Sequence, residues 1–168
     1  EREGRLMKKD LYDKIVTHIV ENQEKFYRLA FSYVKNKDDA LDVVQNSVCK
    51  ALDHYESLRN EEAVKTWFYR ILVNESVHFL NRRKREVLSG EDYDEQIPYY
   101  EKRYEAEDDL EAQIDRLEED VQKIIRLRFY EELSLKEISQ VMELNLNTVK
   151  AKLYRGLKLL KQIVQEVE

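Results

Sequence analysis

Three glycines and one proline in 168 residues leave few points at which this chain is obliged to turn. Sandwiches and barrels of short strands need such residues at close intervals. Their scarcity, with abundant Leu, Glu, Lys and Arg, predicts an all-α protein. The single Cys49 excludes an internal disulfide and any multi-cysteine zinc site, and it fits a reducing cytoplasm. His18, His54 and His78 have no metal-ligand spacing. The longest apolar runs fall far short of the roughly 20 residues of a membrane span, and no secretory h-region is present. There is no glycine-rich phosphate loop, no nucleophile-and-base motif and no carboxylate cluster beside a pocket signal. Neither an enzyme, a cofactor, a bound metal nor a small-molecule substrate is therefore expected. Met7-Lys8-Lys9 reads as a natural start, and residues 1–6 are given no role.

What the chain does have is placed charge. Its net charge is −6, yet the last third carries a strongly cationic helix pattern. Ser134 followed by Glu137 opens a short helix as a capping box, with Leu135, Ile138, Val141 and Met142 as its apolar stripe. A break at 143–147 follows. Val149, Leu153, Leu157, Leu160 and Val164 then recur at helical spacing, opposite Lys150, Lys152, Arg155, Lys158 and Lys161, with no acid on that face. A helix with an apolar rear and a cationic front, entered through a tight turn, suits the major groove of DNA. The acidic remainder weakens long-range attraction to a duplex, so either a partner assists binding or the basic face is only solvated surface.

Upstream, Leu11, Ile15, Ile19, Phe26, Leu29, Ala30 and Tyr33 predict one long helix or two in series. The 36–38 stretch breaks the pattern. Asp38 or Asp39 is the expected cap of the next helix, which runs to about Tyr55 with Ala40, Val43, Val44, Ser47, Val48, Ala51 and Leu52 inward. A polar loop at 56–62 precedes a third helix from about Ala63 to Arg85, with Val64, Trp67, Phe68, Ile71, Leu72, Val77 and Leu80 apolar. Trp67, Phe68 and Tyr69 are consecutive, so they cannot all face one core; Trp67 is expected inside. From Glu86 to Asp120 there are fifteen acids against Lys102, Arg103 and Arg116. The early part of that stretch, with Pro98 and few aliphatics, reads as a flexible acidic linker. The expected organisation is a helical domain over 7–86, a linker over 87–112 and a second small helical domain over 113–168.

Two stretches resemble the sigma-70 family, and within it the extracytoplasmic-function sigma factors. One is Asp39-Ala40-Leu41-Asp42-Val43-Val44-Gln45-Asn46-Ser47-Val48, followed by Lys65-Thr66-Trp67-Phe68-Tyr69-Arg70-Ile71-Leu72-Val73-Asn74. The other runs from Leu135-Lys136-Glu137-Ile138-Ser139 through Thr148-Val149-Lys150-Ala151-Lys152-Leu153-Tyr154-Arg155-Gly156. Their order and separation match the family's regions 2 and 4. The resemblance implies binding to the core of bacterial RNA polymerase, through the clamp helices of the largest subunit and the flap. It also implies recognition of promoter DNA, with region 2 reading and melting the −10 element and region 4 reading the −35 element as duplex. A dedicated anti-sigma factor, often membrane-anchored, is a further implied partner.

On this resemblance, Leu41, Asp42, Gln45 and Asn46 form the polymerase-docking face, although Leu41 and Asn46 depart from the acidic pattern usual there. Leu58, Arg59, Asn60, Arg70 and Asn74 are candidates for capturing a −10 base, since an asparagine amide can read a base edge. Arg82, Arg83 and Arg85, beside Lys84, would meet phosphates upstream of the −10 element; compensation of the helix dipole explains the same run, and both can hold together. Lys150, Ala151, Tyr154 and Arg155 would approach −35 base edges, with Lys136, Thr148, Lys152 and Lys158 around them; Lys136, Thr148 and Lys152 suit phosphates, which set register without reading sequence. The acidic linker would either occupy a basic channel of the polymerase or serve as a plain spacer. Cys49 is expected to be buried. Two other functions stay open: a stand-alone helix-turn-helix regulator, which would bind specific duplex without polymerase, and an interaction-only helical adaptor.

Overall fold

The computed structural model describes residues 2–89 and 108–167, and side chains over 8–89 and 110–161. Among the described residues there are eight α-helices and no strand: α1 (Arg2–Glu21), α2 (Gln23–Val34), α3 (Lys37–Asp53), α4 (Val64–Leu88), α5 (Asp108–Asp115), α6 (Glu119–Phe129), α7 (Leu135–Met142) and α8 (Leu146–Val167), with short 3₁₀ turns at Tyr55–Ser57 and Glu61–Ala63. Their contacts divide them into two compact units, one made of residues up to Leu80 together with Gln140–Met142, the other of Asn81–Ser139 and the residues from Glu143 onward.

In the first unit, the predicted long pattern resolves into two helices. Asn22 ends α1 by donating from Nδ2 to the carbonyl of His18 at 2.8 Å. Lys35, in the left-handed region at φ 57°, ends α2. The cap of α3 is Asn36, whose side chain accepts from the Asp39 amide, and not Asp38 or Asp39. Those two acids instead fill the first turn, where they favour the helix dipole. The core is aromatic: the Phe26 ring centroid lies 4.5 Å from that of Phe68 and 5.4 Å from that of Tyr69. Phe68 and Tyr69 therefore take the inward positions, and Trp67, expected inside, is half-buried with its Nε1 donating to Ser57 Oγ at 3.3 Å. Glu75 is buried on α4 and pairs with Lys50 on α3. Cys49, expected inside, is exposed, because the buried positions of its helix are Ala40, Val43, Ser47 and Ala51.

The second unit is built on α6, which buries Val121, Ile124, Ile125, Arg126 and Leu127 and packs against α8. Helical structure begins at Asp108, inside the 87–112 stretch expected as linker, because α5 has an inward residue, Ile114, and packs on α6 and α8. The rest of that expected linker, including Pro98, lies largely outside the described residues, as do residue 1 and the side chains of 2–7 and Val164.

Candidate nucleic-acid interface

The helix-turn-helix is fixed by local hydrogen bonds that follow directly from its sequence. Ser134 Oγ accepts from the Glu137 amide at 3.1 Å, and Glu137 Oε1 accepts from the Ser134 amide at 2.9 Å. Two amides at the start of α7 are thus satisfied reciprocally, a contribution of about 1 kcal/mol. Glu143 ends α7 in the left-handed region at φ 53°, and the Leu144 amide reaches back to the Ser139 carbonyl at 3.1 Å. Asn145 Oδ1 accepts from the Asn147 amide at 2.8 Å at the entry to α8. The chain therefore turns within three residues, between one capped helix and the next.

The orientation of α8 follows from its apolar stripe. Val149, Leu153, Gly156 and Leu160 are buried. Gly156 sits where a Cβ would lie 2.5 Å from Val121 Cγ1 and 3.0 Å from Ile125 Cδ1, so the α8 backbone approaches α6 more closely than a side chain permits. With that face inward, Lys150, Ala151, Tyr154, Arg155 and Lys158 are exposed, Tyr154 at 64 %, and Thr148 is half-buried. Lys136 is exposed on α7.

The cationic face is not without counter-charge, however. No acid stands among residues 146–161 of its own helix, but Glu118 and Asp120 come from the start of α6. Glu118 Oε2 accepts from Arg155 Nη2 at 3.1 Å, and Lys152 Nζ lies 3.5 Å from both Glu118 Oε1 and Asp120 Oδ2. The lysine is half-buried by these contacts, while Arg155 and Glu118 remain more than half exposed. Glu118 and Asp120 belong to the acidic stretch of the sequence, so their sign was legible there and their target was not.

Two further polar faces precede these in the chain, one on α3 and one on α4 with the loop before it. On α3, Leu41, Asp42, Gln45 and Asn46 are all exposed, with Leu41 at 43 %. On α4, Arg70 and Asn74 are exposed one turn apart; farther along the same helix Arg82 and Arg85 are exposed and Arg83 is half-buried. In the loop before α4, Arg59 and Asn60 are exposed, and Asn60 caps the 3₁₀ turn by accepting from the Glu62 amide at 3.1 Å. Leu58 differs: at 5 % exposure its side chain is buried and anchors this loop. Among the described residues no group of His, Cys, Asp and Glu has metal-binding geometry, and no helix is long and apolar enough to cross a membrane.

Comparison with known proteins places these faces in context. Residues 18–86 match the sigma-70 region 2 family and residues 107–160 match the sigma-70 region 4 family. The chain is 44% identical over 153 residues to the RNA polymerase sigma factor SigV of Bacillus subtilis (strain 168), covering 90% of this chain and 92% of that one. It is 28% identical over 177 residues to the ECF RNA polymerase sigma-E factor of Haemophilus influenzae, covering 90% and 94%. Among solved structures, the fold is similar to the sigma factor RpoE in complex with the anti-sigma factor NepR from Bartonella quintana, with TM-score 0.67, 20% identity and coverage of 89% and 95%. It is also similar to CnrH in complex with the cytosolic domain of CnrY, with TM-score 0.71, 15% identity and coverage of 98% of both chains.

Proposed function

The chain belongs to the sigma-70 family of RNA polymerase sigma factors, and from that premise we propose how its surfaces divide the work. It is an extracytoplasmic-function sigma factor: it binds RNA polymerase core, directs promoter-specific initiation, and performs no catalysis of its own. The proposed division is residues 7–86 for polymerase and −10 binding, 87–112 as the tether, and 113–168 for the −35 element.

Each assignment has a chemical basis. Leu41, Asp42, Gln45 and Asn46 combine one exposed apolar side chain with polar neighbours on one helix face, which suits docking on the clamp helices of the polymerase. Arg59, Asn60, Arg70 and Asn74 offer amides and guanidinium groups to an unpaired −10 base, and Arg82, Arg83 and Arg85 offer charge to the adjacent phosphates. On α8, Lys150, Tyr154 and Arg155 surround the small Ala151, which permits close approach to a base edge; Lys136, Thr148, Lys152 and Lys158 hold the flanking phosphates. That exposed strip is the single observation that carries the −35 assignment. An anti-sigma factor holds the chain inactive until a signal arrives, a reading supported by the structural neighbour RpoE, which was solved in complex with the anti-sigma factor NepR. The sigma factor itself works in the cytoplasm with the polymerase, and a membrane-anchored antagonist would retain it at the inner face.

In vitro transcription tests the reading. Purified chain, bacterial core polymerase and fragmented genomic DNA of the source organism are combined, and the start sites are mapped. Starts that need the chain and share two spaced upstream motifs are expected. An active core with no chain-dependent starts would favour a stand-alone regulator or an antagonist.

A further inference from the structure

We propose that Glu118 is a specificity-determining residue of the −35 interface: an internal carboxylate that competes with DNA for Arg155 and Lys152. The proposal rests on the reading of α8 as the recognition helix.

Glu118 occupies the N-cap position of α6, where the shorter Ser, Thr, Asp or Asn would accept from the helix amides, and it makes no side-chain cap hydrogen bond. Its two oxygens instead turn toward α8, one accepting from Arg155 Nη2 at 3.1 Å and the other 3.5 Å from Lys152 Nζ. The α6 terminus does not depend on it electrostatically, since Glu119 and Asp120 fill the first turn. Nor does the fold depend on the pair: Arg155 and Glu118 are 57% and 59% exposed, and such ion pairs add little to stability. The contact therefore offsets part of the charge of two cations of the recognition face and is weak enough to exchange.

That arrangement changes what DNA binding costs. A guanidinium already on a carboxylate gains less by moving to a phosphate oxygen, since one anion replaces another. A guanine edge adds two directed acceptors at O6 and N7, which a single carboxylate contact does not reproduce. Glu118 thus suppresses sequence-independent attachment by two of the cations while leaving the base-reading exchange available. It also shortens the list of counterions released on binding, because the internal carboxylate already serves as counterion for these side chains.

The test compares the full chain with its Glu118→Gln variant on a mixed-sequence duplex of about three helical turns, by fluorescence anisotropy across a salt series started low enough for electrostatic binding. Glu118→Gln should bind roughly two- to five-fold tighter, the range of one exposed ion pair, and its salt dependence should steepen by about 0.9 in log–log slope, the value of one further phosphate contact. Glu118→Asp, which keeps the charge, should remain nearer to the parent chain in slope. In an Arg155→Ala background the gain from Glu118→Gln should shrink. Equal binding and slope for the parent chain and Glu118→Gln, including no binding by either, would overturn the proposal, as would weaker binding by the variant. Failure of the underlying reading shows elsewhere: Arg155→Ala would leave promoter preference in transcription unchanged, whatever Glu118→Gln does to duplex affinity.

Discussion

Arg126, with none of its side chain exposed, donates from Nη2 to Asp115 Oδ1 at 2.6 Å. Its Nη1 lies 3.8 Å from Glu111 Oε2, and Glu111 also accepts from the Tyr130 hydroxyl. One buried guanidinium thus ties α5 to α6. The partners are unequal, since Asp115 and Glu111 keep contact with water while Arg126 does not. Removing the acid leaves a buried cation short of a charge-assisted bond; removing the cation leaves acids that water can solvate. Asp115→Ala should therefore destabilise the second unit by about 1.5–3 kcal/mol, the range for a hydrogen bond to a charged group. Arg126→Met, which keeps the volume and removes the buried charge, should cost less than about 1.5 kcal/mol. Urea denaturation of the two variants checks the order, and Arg126→Met as the more damaging change would contradict it.

Gly156 gives a second prediction in which two effects oppose. Alanine is favoured over glycine inside a helix by about 1 kcal/mol. Here the added methyl would fall 2.5 Å from Val121 Cγ1 and 3.0 Å from Ile125 Cδ1. Val121 is buried and β-branched, so it cannot swing aside. Overpacking of this kind costs about 1–3 kcal/mol, and at such a separation the upper part of the range applies, so Gly156→Ala should lower stability on balance. Adding Val121→Ala should restore part of the loss. Thermal melting of the single and double variants reads this directly, and a melting temperature raised by Gly156→Ala would show that α8 can shift away from α6.

These two sites mark where the sequence stopped being informative. The helices were legible because their apolar residues recur at helical spacing, and the turn between α7 and α8 because Ser134 and Glu137 cap through neighbours three residues apart. The exposed side of α8 was legible by subtraction from its stripe. What periodicity cannot carry is contact between elements. The approach that requires Gly156, the pairing of Glu118 with Arg155, and the burial of Arg126 and Glu75 each depend on a residue in another helix. The burial of Leu58 was hidden for the same reason: a leucine in a polar stretch carries no period, and only the packed structure shows that it anchors the loop. Trp67 and Cys49 failed differently, since residue type suggested burial while helix phase placed neither among the buried positions.

His18 supplies a pH dependence. Its half-buried ring lies 5.8 Å from that of Phe26, with Nδ1 3.4 Å from Asn22 Nδ2. Burial pushes its pKa below the ordinary 6.5; the positive charges of Lys65 and Lys25 push the same way, and Glu21 opposes them. Above pH 6.5 the ring is neutral in folded and unfolded chains alike, and the shift has no effect. As pH falls below that value the unfolded chain takes up a proton that the folded chain resists, so stability drops until the folded pKa is passed. The loss in urea midpoint between about pH 7.5 and about pH 5.5 should be smaller in His18→Gln than in the parent chain. Equal losses would mean that carboxylates alone govern the acid limb.

Arg155 and Lys152 lie on one helix, three residues apart, yet they should fail differently when removed. Arg155 is exposed and carries a planar fork of donors that can match guanine O6 and N7, whereas the half-buried Lys152 offers a point charge near the edge of the face. Arg155→Ala should therefore cost about 1–3 kcal/mol at promoters with the matched base and flatten preference at one −35 position. Lys152→Ala should weaken all promoters by a similar factor and leave the preferred sequence intact. Transcription by the holoenzyme from a promoter pool randomised across the −35 element separates the two, because it reads preference and strength from one experiment. Loss of preference in Lys152→Ala with preference retained in Arg155→Ala would exchange their roles. An unchanged preference in both would move base reading to Lys150 and Tyr154, the remaining exposed side chains around Ala151.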